Sequence, residues 1–226
     1  MDNLTLLIPA NKEADALPIF LNELNDYNFK KMVVLQKEDQ ATINSISKFK
    51  DVELYIQKNK GYGSALKEGL NNITTEFFCI INADGSMDPG YLKQMLQDCE
   101  NQDLVFASRY LKGGGSDDDD WITFLGNKVF SFLGNLLFKL NLSDILYTYI
   151  LGRTIKFKEL VLTYHDFRIC VEIPIKAKSK NLRFISNPSK ERKRIAGTKK
   201  VNAIKDGFLI LTAMIHMFMK KLLKTR

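Results

Sequence analysis

The stretch that decides the fold is Cys79-Ile80-Ile81-Asn82-Ala83-Asp84-Gly85-Ser86. Its first part continues an apolar run that begins at Phe77, a pattern typical of a buried strand. The run delivers Asp84 and two neighbouring side-chain oxygens to one edge of a sheet, and in open α/β sheets that edge is where ligands bind. A hard divalent cation held there, with substrate phosphates as its other ligands, suits nucleotide chemistry. An ordinary strand-ending turn is the equal alternative, since Asn, Asp and Gly are also the usual turn residues.

Apolar runs and helical patterns alternate on both sides of this stretch. The runs predict strands at residues 4–9, 31–35, 52–56, 77–81 and 104–107. Helices are predicted between them, at residues 14–26, 39–48, 62–72 and 88–100. The last of these opens with Asp88-Pro89, a favourable cap followed by proline at the first helical position. This alternation indicates the α/β class, with βαβ units and a mostly parallel sheet flanked by helices.

The second half of the chain has a different pattern. A glycine-rich loop runs into four aspartates at 117–120, which predict a solvated loop, with cation binding as the less favoured alternative. The apolar stretch 121–151 has polar breaks, so it falls short of the roughly 20 uninterrupted apolar residues of a spanning helix. It predicts one or two helices at a membrane surface, or covered core. Further helices are predicted at 156–163 and 167–179, and a strand at 183–186.

Charge is distributed unevenly along the chain. The formal net charge is +7, and the excess of Lys and Arg is concentrated after residue 176. Basic segments attract nucleic acid, anionic lipid or phosphorylated substrates. The sequence has neither zinc-ligand spacing nor an aromatic RNP pattern, so we expect no nucleic-acid partner. Residues 203–226, apolar and then basic, predict an interfacial helix against anionic lipid; docking on the protein's own core or on a partner subunit is the alternative.

Four segments in order carry a family resemblance. They are Leu7-Ile8-Pro9-Ala10-Asn11-Lys12-Glu13, the segment 59–69 (NKGYGSALKEG), the segment 82–89 (NADGSMDP) and Ala107-Ser108-Arg109-Tyr110. With these gaps the chain resembles the family 2 glycosyltransferases of the GT-A fold. Within them it is similar to the branch of dolichol-phosphate mannose synthase and bacterial polyprenyl-phosphate sugar transferases. Later segments at 126–131, 142–144, 172 and 194–200 extend the resemblance to about residue 200.

The resemblance implies a division of the chain and a role for each motif. It implies a GT-A domain at 1–200, with a nucleotide-sugar half at 1–110 and an acceptor half at 111–200, followed by the C-terminal helix at 201–226. The implied nucleotide-sugar contacts are Pro9, Ala10, Glu13, Gly61, Lys67, Asn82 and Asp84. The implied ligands of Mg²⁺ or Mn²⁺ are Asp84, Asn82 and Ser86. The implied acceptor-phosphate contacts are Arg109, Asn127, Ser131, Arg194 and Lys200, and Asp84 and Arg109 are the implied catalytic residues.

The resemblance also implies an activity. We expect an inverting transferase that moves a hexose, of mannose or glucose type, from a GDP- or UDP-sugar to a polyprenyl phosphate or another membrane-linked acceptor. The expected place is the cytoplasmic, inner face of the membrane, in cell-envelope glycan biosynthesis, with homo-oligomerisation as a possibility. Two alternatives stay open: a glycan acceptor in capsule or lipopolysaccharide assembly, and a degenerate family member that binds nucleotide sugar without turnover.

Three departures from the family pattern are visible. Asn82 stands where the family usually has aspartate, so metal binding would depend more on Asp84. The aspartate-rich turn after the second strand is replaced by Gln36-Lys37-Glu38-Asp39, which leaves the nucleotide base unassigned. After Asp144 the chain has Thr148-Tyr149-Ile150, so an expected arginine is absent.

Overall fold

The structure is a computed structural model that describes residues 3–224, with Lys224 described in its backbone alone. Thr225 and Arg226, the end of the predicted C-terminal helix, lie outside the described residues. The strands are β1 (Leu4–Pro9), β2 (Lys30–Leu35), β3 (Val52–Ile56), β4 (Phe77–Ile80), β5 (Leu104–Ser108), β6 (Gly115–Ser116), β7 (Ile150–Arg153), β8 (Phe184–Pro188) and β9 (Lys190–Glu191). The helices are α1 (Leu17–Glu23), α2 (Gln40–Ile46), α3 (Tyr62–Asn72), α4 (Leu92–Asp98), α5 (Trp121–Phe138), α6 (Thr154–Lys158), α7 (Ile169–Ser179) and α8 (Ala203–Lys224).

The main sheet has the strand order β3-β2-β1-β4-β7-β5-β8. Its neighbouring strands run parallel except around β7, which is antiparallel to both β4 and β5. β6 and β9 form a separate parallel pair. The predicted α/β class with a mostly parallel sheet is therefore confirmed, as are the five strands predicted in the first half.

The central strands β1, β4 and β5 are buried on both faces because they are apolar at consecutive positions. Leu7 and Phe78 contribute to the core on the side of α3 and α7. Their neighbours Leu6 and Cys79 point to the other side, where α1 and α4 pack. Full burial of a Leu or Phe side chain is worth about 1.5–3 kcal/mol. The two layers of core hold the strand ends in place, and the cavity described below opens at those ends.

The stretch 121–151 differs from its prediction in its second half. It forms one helix, α5, which ends at Phe138 and is followed by Lys139 in a left-handed conformation with φ 56°. An irregular segment follows, and then β7, which the sequence did not predict. A short apolar run such as Ile150-Leu151 cannot be assigned to helix or strand by periodicity alone. The strand is defined by its pairing with β4 and β5, and it approaches β5 closely at Gly152, where a Cβ would lie 2.4 Å from Leu104 Cδ2.

Among the later helices, one is shorter than predicted and one begins where predicted. The helix predicted at 156–163 is shorter, because α6 ends at Lys158 and Val161 has a positive φ of 49°. α8 begins at Ala203 and contacts both α5 and α7. Its buried side chains are Ile210, Ala213 and Met214, while most of its other apolar side chains are exposed. Among the helices of residues 3–224, none combines the length and apolar character needed to cross a bilayer.

Candidate active site

A cavity of about 530 Å³ opens where β1 and β4 end. Most of the site residues predicted from the sequence line it: Pro9, Ala10, Glu13, Gly61, Asn82, Asp84, Ser86, Arg109, Asn127, Arg194 and Lys200. Lys67 and Ser131 do not belong to its lining. The structure thus brings the predicted donor-side and acceptor-side residues around one space, although they are spread over most of the chain.

Gly61 allows the chain to turn sharply into α3 beside this cavity. Its φ is +108°, and a Cβ there would lie 2.2 Å from the carbonyl oxygen of His165. Glycine is required because any other residue would meet that carbonyl and the unfavourable φ. The turn places Tyr62 against the cavity, with its hydroxyl 2.6 Å from Thr148 Oγ1 and 3.4 Å from Asn82 Oδ1. Burial raises the pKa of Tyr62, so its hydroxyl stays neutral.

The turn after β4 orients Asp84. One carboxylate oxygen, Oδ1, accepts hydrogen bonds from Ser86 N at 3.1 Å and from Ser86 Oγ at 2.8 Å. Gly85 between them has φ +72°, a conformation that glycine adopts without strain. The other oxygen, Oδ2, lies 3.4 Å from the Arg194 guanidinium. The turn therefore fixes one carboxylate oxygen of Asp84, and the other faces the Arg194 guanidinium.

The same turn has the chemistry of a site for a hard divalent cation. Asn82, Asp84 and Ser86 offer side-chain oxygens as ligands. The Arg194 guanidinium already places a positive charge next to Asp84 Oδ2. Within residues 3–224 no group of three or more His, Cys, Asp or Glu side chains could hold a metal by itself. Mg²⁺ in nucleotide sites is bound by one or two carboxylates plus substrate phosphates. A single-carboxylate site completed by a diphosphate fits these residues.

The basic segment 192–200 lies across this turn. The backbone N–H of Arg192 donates to Ser86 O, and that of Ile195 donates to Asp84 O, both at 2.8 Å. The Arg192 guanidinium also donates to Gly85 O at 2.8 Å. These bonds fix the position of Arg194 next to Asp84, although the two residues are far apart in the sequence.

The four aspartates at 117–120 were predicted to form a solvated loop, and this is wrong for the middle two. The side chains of Asp118 and Asp119 are only 14% and 8% exposed. Asp118 pairs with Arg194 at 2.6 Å, and Asp120 lies 3.3 Å from Lys199. The loop folds inward because its carboxylates pair with the basic segment 192–200. The two segments are far apart in the sequence, so a local sequence pattern does not indicate this attraction.

Lys200 pairs with a buried carboxylate on the donor side. Its Nζ lies 3.4 Å from Glu13 Oε1. Burial raises the pKa of Glu13, while Lys200 opposes that shift. Both residues line the cavity. Glu13, the predicted nucleotide contact, and Lys200, the predicted acceptor-phosphate contact, thus form an ion pair with each other.

Arg109 is buried among three carboxylates. Its Nε and one terminal nitrogen donate to Asp144 at 2.7 and 3.0 Å, which is the bidentate arrangement. The other terminal nitrogen donates to Asp119 and Glu191, at 3.2 Å each. Burial opposes the charged form of Arg109, but the carboxylates of Asp144 and Glu191 raise its pKa overall. Arg109, which was predicted to bind the acceptor phosphate, therefore forms ion pairs with carboxylates of the protein itself.

Asn127 and Ser131 lie one turn apart on α5 and behave differently. Asn127 Nδ2 donates to Tyr110 Oη at 2.8 Å, and that hydroxyl donates to Asp119 at 2.6 Å. Ser131 Oγ accepts a hydrogen bond from the backbone of Ile145 at 3.2 Å. Asn127 thus belongs to the network around the cavity, whereas Ser131 holds the irregular segment before β7.

Lys67 and Glu172 anchor the loop that covers the start of α3. Lys67 donates to Thr163 O at 3.0 Å, away from the cavity. Glu172, which the resemblance placed among acceptor-side motifs, accepts from Thr163 N at 2.8 Å and Tyr164 N at 2.9 Å. Burial opposes ionisation of Glu172, but Lys176 and these donors lower its pKa. The structure gives both residues a place in loop anchoring and does not bring them to the cavity.

Polar residues that line the cavity without having been singled out from the sequence include Gln57, Tyr147 and Glu191. Gln57 directly follows β3, so the rule that sites lie at strand ends could have found it. Tyr147 and Glu191 carry no comparable local signal, because long-range packing brings them to the cavity.

The cavity continues between α5 and α8. Ile122 and Phe130 line it from α5, and Ile204 and Ile210 line it from α8. Both helices also carry strongly exposed apolar side chains, with Trp121 73% and Ile204 86% exposed. The further exposed apolar side chains are Ile122, Leu125, Val129, Phe132 and Leu136 on α5, and Phe208, Leu211, Ile215, Met219, Leu222 and Leu223 on α8. The cavity therefore connects a polar end at Asp84 with an apolar surface.

Comparison with known proteins places this architecture among sugar transferases. An uncharacterised glycosyltransferase of Mycobacterium tuberculosis is 27% identical over 145 residues, which are 64% of this chain and 65% of that protein. The chain thus spans slightly less than two thirds of that relative. Glucosyl-3-phosphoglycerate synthase from Mycobacterium tuberculosis, solved with UDP, superposes with a TM-score of 0.72 at 10% identity, over 96% of this chain and 80% of that one. Mannosyl-3-phosphoglycerate synthase from Rubrobacter xylanophilus gives 0.68 at 15% identity, over 99% and 74%.

These structures share the GT-A fold, as the resemblance implied, and at such identities they support the fold alone. The narrower resemblance to the polyprenyl-phosphate branch stays a prediction. The sequence model of glycosyl transferase family 2 matches residues 5–161, which is more than half of the chain. The protein belongs to glycosyl transferase family 2.

Proposed function

We propose that this protein transfers a hexose, with inversion, from a nucleoside-diphosphate sugar to a membrane-linked acceptor. One observation carries the proposal: a single cavity joins the oxygen-rich turn at Asp84 to an apolar groove between α5 and α8. The polar end suits a diphosphate, and the apolar end suits a hydrocarbon tail. A polyprenyl phosphate and another membrane-linked acceptor both meet this description.

The donor side is supported by the match between the turn and its expected ligand. Asp84, Asn82 and Ser86 would hold Mg²⁺ or Mn²⁺, which would neutralise charge on the departing diphosphate. The related glucosyl-3-phosphoglycerate synthase has been solved with Mn²⁺ and UDP-glucose. Gln36 and Gln57 line the cavity near the ends of β2 and β3; Gln57 Nε2 donates to the backbone carbonyls of Asn59 and Gly61, which leaves its Oε1 as an acceptor for a base. A UDP- or GDP-hexose is the proposed donor.

The acceptor side is supported by the exposed apolar faces of α5 and α8. Lys128, Lys205 and Lys220 are exposed on the same two helices. Apolar side chains flanked by lysines are typical of helices that lie in the interface of an anionic bilayer. We therefore propose peripheral binding at the membrane surface, on the cytoplasmic side that the resemblance implies.

Titration calorimetry tests the donor. UDP-glucose, GDP-mannose and the free nucleotides are titrated with and without Mn²⁺, and we expect one nucleotide series to bind in a metal-dependent way. Transfer is then followed by release of the nucleoside diphosphate in the presence of a detergent-solubilised lipid acceptor. If none of the nucleotide sugars binds, the proposed function is refuted.

Vesicle flotation tests the membrane surface. Phe132→Glu and Phe208→Glu each replace an exposed phenyl ring, which we propose inserts into lipid, by a negative charge. We expect at least a tenfold weaker binding to anionic vesicles, a loss of about 1.4 kcal/mol in binding free energy. Ile19→Glu is the matched control, because Ile19 is an exposed apolar residue on α1. Equal effects of all three substitutions would contradict binding through α5 and α8.

A further inference from the structure

We propose that a second cavity, beside the cavity of about 530 Å³, binds a pyranose ring that belongs to the acceptor. The second cavity has a volume of about 420 Å³ and lies between the loop 110–120 and the start of α5. Arg109 and Asp119 line both cavities, so the two share a wall. The inference rests on the proposed transferase function and adds a saccharide to the membrane-linked acceptor.

Three aromatic side chains line the second cavity. Trp121 and Phe124 are stacked, with ring centroids 5.7 Å apart, and Tyr110 meets Phe124 edge-on at 5.4 Å. Trp121 is nevertheless 73% exposed, and among residues 3–224 its indole stacks on no second ring. Covering a large aromatic surface is favourable, so this side of the cavity suits a ligand with an apolar face.

The other side chains that line the second cavity are mostly polar and are held by hydrogen bonds. Ser116 Oγ accepts a hydrogen bond from the backbone of Asp119 at 2.9 Å, and the Asp119 carboxylate accepts from Tyr110 Oη at 2.6 Å. The side chain of Asp120 is 60% exposed. The start of α5 and Lys199 each donate to one of its oxygens, but a carboxylate accepts about four hydrogen bonds. Asp120 therefore keeps acceptor sites for a ligand.

Charged ligands fit the second cavity poorly. A cation would compete with Lys128, whose Nζ already lies 4.5 Å from the ring centroid of Tyr110, and with Arg109, 5.2 Å from the same ring. A phosphate would meet the carboxylates of Asp119 and Asp120. The cation that could attract it, Arg109, is already bound by carboxylates of the protein. The charges of this cavity therefore favour a neutral ligand.

A pyranose ring has the two properties that the second cavity requires. The C–H bonds on one face of the ring are apolar and stack on an aromatic side chain, while the hydroxyls around its edge donate to carboxylates. A pure hydrocarbon would cover the carboxylate of Asp120 without offering it a donor, which is unfavourable. The ring stacks on Trp121, and its hydroxyls donate to Asp120.

The position of the second cavity connects this ring with the acceptor. Trp121 is the first residue of α5, whose exposed apolar side chains belong to the proposed membrane surface. Aromatic side chains favour the headgroup level of a bilayer. Asp84, which is proposed to hold the donor diphosphate through a metal, lines the larger cavity and not the second one. A saccharide carried on a lipid would occupy the second cavity and extend past Arg109 towards the donor.

Tryptophan fluorescence tests the site directly, because Trp121 is the only tryptophan of the chain. The whole chain, without nucleotide or lipid, is titrated with maltose, lactose and α-1,2-mannobiose. We expect at least one disaccharide to change the emission in a saturable way, whereas glycerol and tetramethylammonium chloride should not. Absence of a saturable change with all three disaccharides, or a saturable change with tetramethylammonium alone, would overturn the inference.

Asp120→Asn tests the polar contact and keeps both Trp121 and the cap of α5, because asparagine is also a good N-cap. We expect the affinity for the best-bound disaccharide to fall about tenfold, since a charge-assisted hydrogen bond becomes a neutral one. Asp117→Asn is the matched control: its side chain is 47% exposed in the same run of aspartates, and it lines neither cavity. Equal affinities of Asp120→Asn and the wild type would contradict the assignment of the sugar to this cavity.

Acceptor kinetics test the link to transfer, with Mn²⁺ and the donor identified by calorimetry. The probes are the decyl glycoside of the best-bound disaccharide and a polyprenyl phosphate. In Trp121→Ala we expect KM for the glycoside to rise at least about tenfold with a nearly unchanged kcat, and KM for the polyprenyl phosphate to stay the same. Transfer confined to the polyprenyl phosphate, or an unchanged KM for the glycoside, would overturn the inference and leave the proposed function standing. Absence of donor binding would refute the proposed function, and the fluorescence titration would still decide whether the second cavity binds a sugar.

Discussion

The donor turn at 82–87 and the cluster around Arg109 border the same cavity but are built differently. Asp84 is oriented by Ser86, two residues away, through a glycine with positive φ. Arg109 is held by Asp144 and Glu191, which are 35 and 82 positions away. The first region is a local backbone device, whereas the second exists only when distant parts of the chain meet. The difference teaches that the side-chain orientation of Asp84 is set within its own turn, although Arg192 and Ile195 also bind the backbone of that turn, while the position of Arg109 depends on the whole second half of the chain.

The largest expected effect lies in the Arg109 cluster. Arg109→Ala leaves Asp144, whose side chain is fully buried, and Glu191 without their counter-charge. Removing one partner of a buried ion pair costs about 3–5 kcal/mol. Urea denaturation should show a loss of this size in the free energy of unfolding.

Arg153→Ala is the matched control for an exposed ion pair. Arg153 pairs with Glu76 at 2.7 Å, but their side chains are 27% and 47% exposed. Exposed pairs contribute about 0–1 kcal/mol, so this variant should remain nearly as stable as the wild type. Comparable losses in both variants would mean that the Arg109 cluster is not the structural centre of the acceptor side.

The same contrast explains what the sequence could and could not predict. The strands and the turn at Asp84 follow from patterns within a few residues, so the α/β class and the cavity edge were predictable. β7 was not, because a four-residue strand with only two apolar side chains, Ile150 and Leu151, is defined by its pairing with β4 and β5 on either side. Nor was the inward fold of Asp118 and Asp119, because a run of like charges normally stays in solvent unless a distant basic segment neutralises it.

Among the predicted site residues, the same rule separates those that line the cavity from those that do not. Asn82 and Asp84 follow a strand directly and line the cavity as expected. Lys67 and Ser131 have plausible spacing on helices, but the facing loop and the segment before β7 take their side chains. Glu191 was missed because its burial depends on Arg109, which lies far away in the sequence.

The next effect concerns the donor turn itself. Asp84→Ala removes the only carboxylate of the proposed metal site, so metal-dependent donor binding should be lost and transfer should fall by about 10²–10³-fold. Calorimetry with and without Mn²⁺ measures the first, and nucleoside diphosphate release the second. The fold should survive, because Asp84 is held by local hydrogen bonds.

Asp88→Ala is the control for this variant. Asp88 belongs to the same loop and caps the turn that follows, with Gly90 N donating to its Oδ1 at 2.8 Å, but it does not line the cavity. We expect a small loss of stability and unchanged donor affinity. If donor binding remained metal-dependent in Asp84→Ala, the assignment of the metal site would be wrong.

A smaller effect tests the contact between the donor turn and the basic segment 192–200. Gly85→Ala places a Cβ at φ +72°, 2.4 Å from Ile195 Cδ1 in the basic segment. A non-glycine residue in this conformation costs about 1–2 kcal/mol, and the side chain of Ile195 has to move. Thermal denaturation should show the loss of stability, and calorimetry should show weaker donor binding.

Gly126→Ala is the matched control. A Cβ there meets nothing within 4 Å and the backbone is helical, so this variant should be neutral or stabilised by up to about 1 kcal/mol.

The smallest effect is a local cap within the long-range half. Asp120 Oδ1 accepts a hydrogen bond from Thr123 N at 2.8 Å at the start of α5, and this bond lowers the pKa of Asp120 from 3.8 to about 2. Asp120→Ala should cost about 1 kcal/mol at pH 7. Because the folded-state pKa is the lower one, this contribution is complete above about pH 4 and fades as the pH falls towards 2. The difference in unfolding free energy between wild type and Asp120→Ala should therefore shrink from pH 7 to pH 3.

Asp120→Asn is the control, because an asparagine cap does not titrate. The difference in unfolding free energy between Asp120→Asn and Asp120→Ala should be independent of pH. A difference between wild type and Asp120→Ala that stays constant over this range would assign the role of Asp120 to its neighbour Lys199 or to packing.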